Sequence, residues 1–231
     1  MTLKKIGIPA WKTGDNSVGS TLSYVQFAEM FGEVVFLMPK HTVRTDLDLL
    51  ILPGGPDLPS TVYGERPHWF TGKSDPQKDY FDKIYLPQYI AAGVPVFGIC
   101  RGHQSLAAHF GGKLIQHMSH ETNKADDPYK AVHKMMVDSQ TYPQLTAFTD
   151  KKLIPVNSRH HQAVRESSLA NTDLVVTARH ERDRHVEMIA HKTLPIVGLQ
   201  SHPEDCFEDE TTDFVFNIIK WLIETKTSIL S

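Results

Sequence analysis

The stretch VPVFGICRGHQSLAAHFGG, residues 94–112, carries the pattern that decides the fold. Its first part, residues 94–99, is a short apolar run that predicts a strand buried on both faces of a sheet. The ten residues after it favour a helix, which a pair of glycines would end. Cys100 therefore lies at the turn between a strand and a helix, in the pattern G-x-C-x-G.

This spacing is the thiol version of a nucleophile elbow, in which small neighbours allow a strained residue to project from the end of a strand. The turn would expose the sulfur of Cys100 at the N-terminus of the helix, and the backbone N–H of Arg101 would face an oxyanion formed there. The competing interpretation is that Cys100 is a small buried apolar residue, which is the usual role of a single cysteine.

Composition limits the classes of protein to consider. The chain has 231 residues, of which 40% are hydrophobic, enough for the core of one α/β domain over residues 1–231. The formal net charge of −3 gives no reason to expect nucleic acid or an anionic membrane as a partner. Because the sequence contains neither a long apolar run nor a signal peptide's apolar segment, we expect a cytoplasmic protein.

Cysteine and histidine usage predicts neither a disulfide framework nor a metal site. The two cysteines, Cys100 and Cys206, are too few for such a framework. The 13 histidines are spread along the chain, and the pair His160 and His161 has no cysteine or carboxylate at ligand spacing. We therefore expect no metal and no other cofactor.

Strands and helices alternate over the first half of the chain. This order predicts a mostly parallel central sheet with helices on both faces, and a small antiparallel excursion in the second half. The predicted strands are residues 4–9, 34–39, 49–52, 94–99, 113–118, 131–137, a segment from 154, 174–178, 186–191 and 196–200. The predicted helices are residues 22–31, 79–92, 101–110 and 212–225. The predicted loops are residues 11–20, 58–76 and 119–130.

Two other strand ends supply groups that a cysteine nucleophile needs. His202 follows the strand at 196–200, and the carboxyl ends of parallel strands share one edge of the sheet with Cys100. Glu204 is placed to accept the other imidazole N–H and fix the tautomer. The turn after residues 49–52 holds Gly55, a candidate second oxyanion donor, although a Pro-Gly-Gly sequence is also an ordinary turn. Together these groups predict acyl transfer through a thioester.

Three short motifs make the chain resemble class I glutamine amidotransferases: Pro53-Gly54-Gly55, Gly98-Ile-Cys100-Arg-Gly102-His-Gln104 and Gln200-Ser-His202-Pro-Glu204. Other segments are similar to the stand-alone γ-glutamyl hydrolases typified by γ-glutamyl-γ-aminobutyrate hydrolase: Gly54-Gly-Pro-Asp57, Tyr63-Gly-Glu65, Asp75-Pro with Asp79, and Val156-Asn-Ser-Arg-His160-His-Gln162. The resemblance implies a flavodoxin-like α/β fold and hydrolysis of a γ-glutamyl amide.

The resemblance also assigns roles to individual residues. It implies Cys100 as nucleophile, His202 as base, Glu204 as the residue that orients His202, Gly55 and Arg101 as oxyanion donors, and Gln104, Asn157, His160, His161 and Gln162 as substrate-binding residues. Two positions depart from the branch: Ser201 stands where a tryptophan is usual, and Lys78 where an arginine is common. These departures concern the choice of substrate more than the chemistry.

Three alternatives stay open at this point. The first is a glutaminase that supplies ammonia to a synthase partner, and the second is a binding or regulatory relative without activity. The third is a protease or chaperone of the wider cysteine-elbow group, which gives no reason for Gln104 or the polar run at 157–162. In the main interpretation the partner is a small γ-glutamyl compound, and a homodimer is compatible with it.

Overall fold

The structure is a computed structural model that describes residues 3–15, 17–38, 40, 42–118, 133–206 and 209–229. The predicted loop at 119–130 and the first residues of the predicted strand at 131–137 lie outside this part. The described strands, in chain order, are β1 (Lys5–Pro9), β2 (Trp11–Gly14), β3 (Ser17–Gly19), β4 (Glu33–Leu37), β5 (Leu49–Leu52), β6 (Val96–Ile99), β7 (Leu114–Ile115), β8 (His133–Val137), β9 (Leu153–Val156), β10 (Ala163–Val164), β11 (Leu174–His180), β12 (Val186–His191) and β13 (Ile196–Leu199).

The described helices lie between these strands and at the end of the chain. They are α1 (Leu22–Glu29), α2 (Pro76–Tyr80), α3 (Leu86–Ala91), α4 (Arg101–His109) and α5 (Asp209–Ile229), with a π-helical turn at Phe81–Tyr85 and 3₁₀ turns at Ser60–Tyr63, Pro143–Ala147, Glu166–Leu169 and Pro203–Asp205. None of the described helices combines the length and apolar character needed to cross a membrane.

Nine of the described strands form one mixed sheet in the order β4-β1-β5-β6-β13-β12-β11-β8-β9. The five strands from β4 to β13 are parallel, and the remaining four pair antiparallel. This confirms the predicted α/β class and its antiparallel excursion. Because β5, β6 and β13 are neighbours, the turns that follow their carboxyl ends meet at one edge of the sheet.

The core lies on both faces of this sheet. Along β5, Leu49 and Ile51 pack in a cluster that includes α1 and α5, while Leu50 and Leu52 pack in a second cluster with α3 and α4. Successive strand residues point to opposite faces, so an unbroken apolar run is required wherever both faces are covered. This explains why the short apolar runs of the sequence are central strands.

Two local predictions were wrong in detail. Residues 11–20, predicted as a loop, contain the antiparallel hairpin of β2 and β3. The prediction missed it because a short polar strand lacks the apolar alternation by which strands are recognised. The helix predicted at 79–92 begins earlier, at Pro76, where the side chain of Asp75 accepts a hydrogen bond from Gln77 N at 2.9 Å. Its π-helical turn directly precedes α3, where Pro87 has no N–H to continue the regular pattern.

The strand predicted at 113–118 is shorter in the structure and lies outside the main sheet. Only Leu114–Ile115 is extended, and it pairs antiparallel with Ala163–Val164 in a separate two-stranded sheet. This pairing holds residues 163–164 against the chain that leaves α4, whose end is closed by a hydrogen bond from Gly112 N to Ala107 O at 2.8 Å.

Candidate active site

Cys100 lies in a strained turn between β6 and α4. Its φ of 50° and ψ of −104° place a non-glycine residue in a sparsely populated region of backbone conformation. Backbone hydrogen bonds hold the turn from both sides, since Cys100 N donates to Leu199 O at 2.8 Å and Gln104 N donates to Cys100 O at 3.1 Å. Such strain persists only where the surrounding structure enforces it, and it is common at reactive residues.

The two glycines of the elbow are required by close backbone contacts. A Cβ on Gly102 would lie 2.3 Å from Leu52 O, and a Cβ on Gly98 would lie 2.7 Å from the backbone of Gly102. Both distances are far below van der Waals contact with atoms that cannot rotate away. The elbow therefore packs directly on the end of β5, which brings Cys100 beside the turn that follows that strand.

His202 follows β13 and pairs with Glu204. Its Nδ1 lies 2.7 Å from Glu204 Oε1, and both side chains are buried. A hydrogen bond from Nδ1–H to the carboxylate leaves Nε2 as the nitrogen that can act as the base. Burial lowers the pKa of His202, but the neighbouring Cys100 and the carboxylate of Glu204 outweigh burial and raise this pKa above its ordinary value. The raised pKa favours the protonated imidazole of His202 beside the sulfur of Cys100.

Asn157 holds the backbone of His202 in place. Asn157 Nδ2 donates to His202 O at 2.9 Å, and His202 N donates to Asn157 Oδ1 at 2.8 Å. Asn157 is only 1% exposed, so this pair of hydrogen bonds is shielded from water. The sequence placed Asn157 near the site, and the structure shows the contact that it makes there: the main chain of His202.

Tyr24, in the first turn of α1, is a site residue that the sequence did not indicate. Its hydroxyl lies 3.4 Å from His202 Nδ1. Burial raises the pKa of Tyr24, and the negative charges of Glu204 and Cys100 raise it further, so the hydroxyl stays protonated. The helix at 22–31 was predicted from the spacing of its apolar residues. That pattern does not show which residue of the helix contacts His202.

The glycine turn after β5 packs against the same pair. A Cβ on Gly54 would lie 2.4 Å from Tyr24 Oη, 3.1 Å from His202 Cε1 and 3.4 Å from Cys100 Cβ. Gly54 is thus the point at which these three side chains converge. Gly55, next to it, is exposed and lines the same cleft as Cys100.

Arg101 sends its side chain away from the cleft. Its guanidinium, 3% exposed, lies 2.7 Å from Asp79 Oδ1 and 2.6 Å from Asp82 Oδ2. Burial raises the pKa of Asp82 although Arg101 and Ser105 oppose the change. These ion pairs tie the start of α4 to α2 and the π-helical turn, while the backbone of Arg101 stays beside Cys100 at the helix N-terminus.

A cleft of 390 Å³ opens at these strand ends. Its lining residues are Thr21, Ser23, Tyr24, Gly54, Gly55, Pro56, Lys78, Cys100, Arg159, His202, Glu204 and Asp205. The volume is in the range of small-molecule sites. The polar lining combines two cations, Lys78 and Arg159, with the carboxylates of Glu204 and Asp205, so the cleft presents charges of both signs near the sulfur.

Lys78 is held against the glycine turn. Its Nζ donates to Gly54 O at 2.8 Å and lies 4.5 Å from the centre of the Trp11 ring. Burial lowers the pKa of Lys78 to about 8, with a further contribution from the charge of Arg101. Across the cleft, Arg159 forms an ion pair with Asp205 and lies 3.8 Å from Glu204 Oε1. Sequence analysis identified Lys78 only as a departure from the γ-glutamyl hydrolase branch, where an arginine is common, and it did not single out Arg159.

Gln104 and Gln162, predicted to bind substrate, lie outside the residues that line this cleft. Gln104 Nε2 donates to Gln162 O at 2.9 Å and to Gln200 Oε1 at 3.2 Å. Leu58 N donates to Gln162 Oε1 at 3.0 Å. Both glutamines are therefore engaged in a buried amide network that joins α4 to the strand ends, and their contact with a substrate stays a prediction.

His160 and His161 also point elsewhere. His161 Nε2 lies 2.9 Å from Asp57 Oδ1, and its Nδ1 lies 3.0 Å from His117 Nδ1, with 40% of the side chain exposed. His160 is buried, and its Nδ1 lies 2.9 Å from Gln162 O. A substrate role for these two residues likewise stays a prediction.

Two groups of described side chains bring ligand atoms close enough together for a metal ion. They are His160, His185 and Glu187, and His180, Asp183 and His185. Neither group includes Cys100 or His202, so the thiol site and these histidines are separate arrangements.

Comparison with known proteins identifies the family of the chain. The family model described as peptidase C26 matches residues 6–204, and the chain belongs to this family. The glutamine amidotransferase-like protein YvdE of Lactococcus lactis subsp. lactis is 28% identical over 203 residues, covering 83% of each chain. The carbamoyl phosphate synthase small chain of Oceanobacillus iheyensis is 35% identical over 153 residues, covering 64% of this chain and 37% of that protein.

Solved structures give the same fold. A glutamine amidotransferase from Thermotoga maritima is 15% identical with a TM-score of 0.57, and the match covers 97% of this chain and 85% of that one. The family and the fold confirm the resemblance to class I glutamine amidotransferase-like proteins, and the family indicates a cysteine hydrolase or amidotransferase-like enzyme.

Proposed function

We propose that this member of the peptidase C26 family hydrolyses the γ-glutamyl amide bond of a small compound, such as a γ-glutamyl amine or a γ-glutamyl peptide. The observation that carries the proposal is the convergence of a strained Cys100, His202 and Glu204 on one edge of the sheet, around the Gly54 turn. A nucleophile, a base and a residue that orients the base are the parts that covalent acyl transfer needs.

In the proposed first step the thiolate of Cys100 attacks the γ-carbonyl carbon, and the carbonyl oxygen becomes an oxyanion. The backbone N–H groups of Gly55 and Arg101 stabilise that charge. The imidazolium of His202 gives its proton to the leaving nitrogen, so the C–N bond breaks and the free amine departs. Cys100 then carries a glutamyl thioester.

The second step returns the enzyme to its starting state. His202, now neutral, takes a proton from a water molecule, and the resulting hydroxide attacks the thioester carbon. The C–S bond breaks, glutamate leaves, and the thiolate and imidazolium are restored. Glu204 stabilises the imidazolium in each step because its carboxylate accepts a hydrogen bond from Nδ1–H, with 2.7 Å between Nδ1 and Oε1.

The charges of the cleft fit a γ-glutamyl group. This group carries an α-carboxylate and an α-ammonium, and the cleft supplies Lys78 and Arg159 as cations and Asp205 as a carboxylate. Lys78 is the favoured partner of the α-carboxylate because Arg159 is already paired with Asp205. Asp205 pairs with Arg159 through Oδ2, and its second carboxylate oxygen, Oδ1, would receive the α-ammonium.

A second candidate is a glutaminase that supplies ammonia to a synthase. The observation in its favour is the 35% identity to a protein named as a carbamoyl phosphate synthase small chain. The two candidates share the thioester chemistry and differ in the leaving group. The first requires an amine or peptide, and the second requires ammonia from free glutamine.

The test is glutamate release from γ-glutamyl amines, γ-glutamyl peptides and free glutamine. We expect activity on the first two classes in the wild type and none above background in Cys100→Ala. The matched control is Cys206→Ala, which removes the other buried cysteine and should leave turnover within a few-fold of wild type. Undiminished turnover in Cys100→Ala would refute the mechanism, and turnover of glutamine alone would favour the glutaminase.

A further inference from the structure

A second cluster of buried, chemically reactive side chains lies apart from Cys100. We name it the histidine–glutamate cluster and define it as His133, His160, His185 and Glu187. At its centre Glu187, on β12, is 0% exposed. Glu187 Oε1 lies 3.1 Å from His133 Nε2 and 2.7 Å from His185 Nε2. The ligand atoms of His160, His185 and Glu187 all lie within 4.8 Å of one another.

Three separate segments of the chain contribute to this cluster. His133 begins β8, His160 follows β9, His185 precedes β12, and Glu187 lies within β12. The rings pack closely, with centroids 5.8 Å apart for His160 and His185 and 6.3 Å apart for His133 and His185. Since burying several imidazoles and a carboxylate together is costly, the arrangement calls for a physical reason.

Hydrogen bonding within the described chain leaves part of the cluster unsatisfied. Glu187 Oε2 is buried and has no hydrogen-bond partner there. The other oxygen of this carboxylate, Glu187 Oε1, faces His185 Nε2 at 2.7 Å and His133 Nε2 at 3.1 Å. Buried polar atoms without partners are rare in folded proteins, and a bound ion is one explanation for them.

The ligand types suit a transition metal. Imidazole nitrogen and carboxylate oxygen bind Zn²⁺ at about 2.0–2.2 Å. Two ligands of one ion at these bond lengths are at most about 4.4 Å apart, and the 4.8 Å limit within the cluster exceeds this by an amount that a small side-chain rotation closes. His133 would act on the carboxylate as an orienting partner through its 3.1 Å contact.

We infer that His160, His185 and Glu187 bind one divalent transition-metal ion, with Zn²⁺ as the reference ion. The site is structural and separate from Cys100, His202 and Glu204. It joins β12 to the segment at 157–162, whose Asn157 holds the backbone of His202. A metal bound there would stabilise the folded chain and fix the segment behind the cleft.

The first experiment compares metal uptake by the full-length, untagged, chelator-stripped protein and its variants. Zn²⁺ is titrated by calorimetry into wild type, His185→Gln and His109→Gln, where His109 is an exposed histidine at the end of α4. We expect wild type and His109→Gln to bind one equivalent more than His185→Gln. Equal uptake by all three proteins would overturn the inference.

Thermal unfolding gives an independent readout. With free Zn²⁺ at one hundred times its Kd, the Tm of wild type and His109→Gln should rise by about 5–10 °C. The Tm of His185→Gln should not change. A rise of equal size in His185→Gln, or none in wild type, would contradict a metal site at the cluster.

A measurement on the unmutated protein covers the case in which His185→Gln does not fold. X-ray absorption at the zinc edge of the one-equivalent complex reports the ligand types directly. We expect imidazole and oxygen or nitrogen ligands with no sulfur. A sulfur ligand would place the ion at a cysteine and refute the inference, as would a shell of water oxygens without imidazole.

Discussion

At the scale of single residues, the candidate site depends on the protonation of His202 and Lys78. Both side chains lie at the edge of the sheet beside Cys100, yet their environments act in opposite directions. Glu204 and Cys100 raise the pKa of His202, whereas burial lowers that of Lys78. In the proposed mechanism the first change keeps a proton available for the leaving amine. The second means that the charge of Lys78, the proposed partner of the substrate α-carboxylate, changes near pH 8.

The pH profile of Glu204→Gln should show the first effect. Glutamine cannot stabilise the imidazolium as a carboxylate does, so the pKa of His202 falls and the alkaline limb of kcat/KM moves to lower pH by about one unit. The maximal kcat/KM should fall by about 10²-fold or more. An alkaline limb at the same pH in the variant and the wild type would show that Glu204 does not act on His202.

The pH dependence of KM should show the second effect. Lys78 is protonated below its pKa of about 8 and neutral above it, so KM for a γ-glutamyl substrate should rise as pH increases through 8. Lys78→Arg keeps its charge and should lose this dependence. Because both proteins are assayed with the same substrate, the titration of the substrate's own groups affects both KM profiles equally. A wild-type KM that is constant from pH 7 to about 9.5 would contradict the role of Lys78.

At the scale of the elements, the elbow depends on the contact of α4 with β5. The structure requires a glycine at residue 102 because a Cβ there would lie 2.3 Å from the backbone oxygen of Leu52. The same contact places Cys100 beside the Gly54 turn. Strain at Cys100 and close packing at Gly102 are therefore parts of one arrangement, in which the helix start is pressed onto the neighbouring strand.

Gly102→Ala should disturb this arrangement measurably. We expect a loss of about 2–4 kcal/mol in the free energy of unfolding, measured with denaturant, together with a loss of turnover. Gly19→Ala is the matched control, since a Cβ at Gly19 meets no atom within 4 Å, and it should be near neutral. If Gly102→Ala were as stable and active as the control, the contact with β5 would not matter.

At the scale of the whole molecule, the sequence predicted the central strands and the class of the sheet best, because a simple hydrophobic pattern marks them. The apolar run at Leu49–Leu52 predicted a strand with the observed bounds, because a strand covered on both faces must be apolar throughout. The alternation of strands and helices predicted a mostly parallel sheet, and thereby the shared edge of Cys100 and His202; the order of the strands comes from the structure. The polar hairpin of β2 and β3 gave no such signal.

Most side-chain contacts between distant segments could not be predicted from the sequence. Tyr24 reaches His202 and Arg159 reaches Asp205 only because the chain brings those segments together. The polar run at 157–162 was expected to line the cleft as a whole, but its residues take different directions: Asn157 toward His202, His161 toward Asp57 and His160 toward Glu187. In the histidine–glutamate cluster, His160 is 25 or more residues away along the chain from each of its partners. A search for ligands at short spacing could not have found this set.

The central claim is that Cys100 forms a covalent bond with a γ-glutamyl group. Its most direct test is mass spectrometry of the enzyme after rapid acid quenching during turnover of a γ-glutamyl amine. The account predicts an added mass of one glutamyl group on the peptide that contains Cys100, formed and lost at rates compatible with turnover. Turnover with no adduct on that peptide, or an adduct on the peptide that contains Cys206, would contradict it.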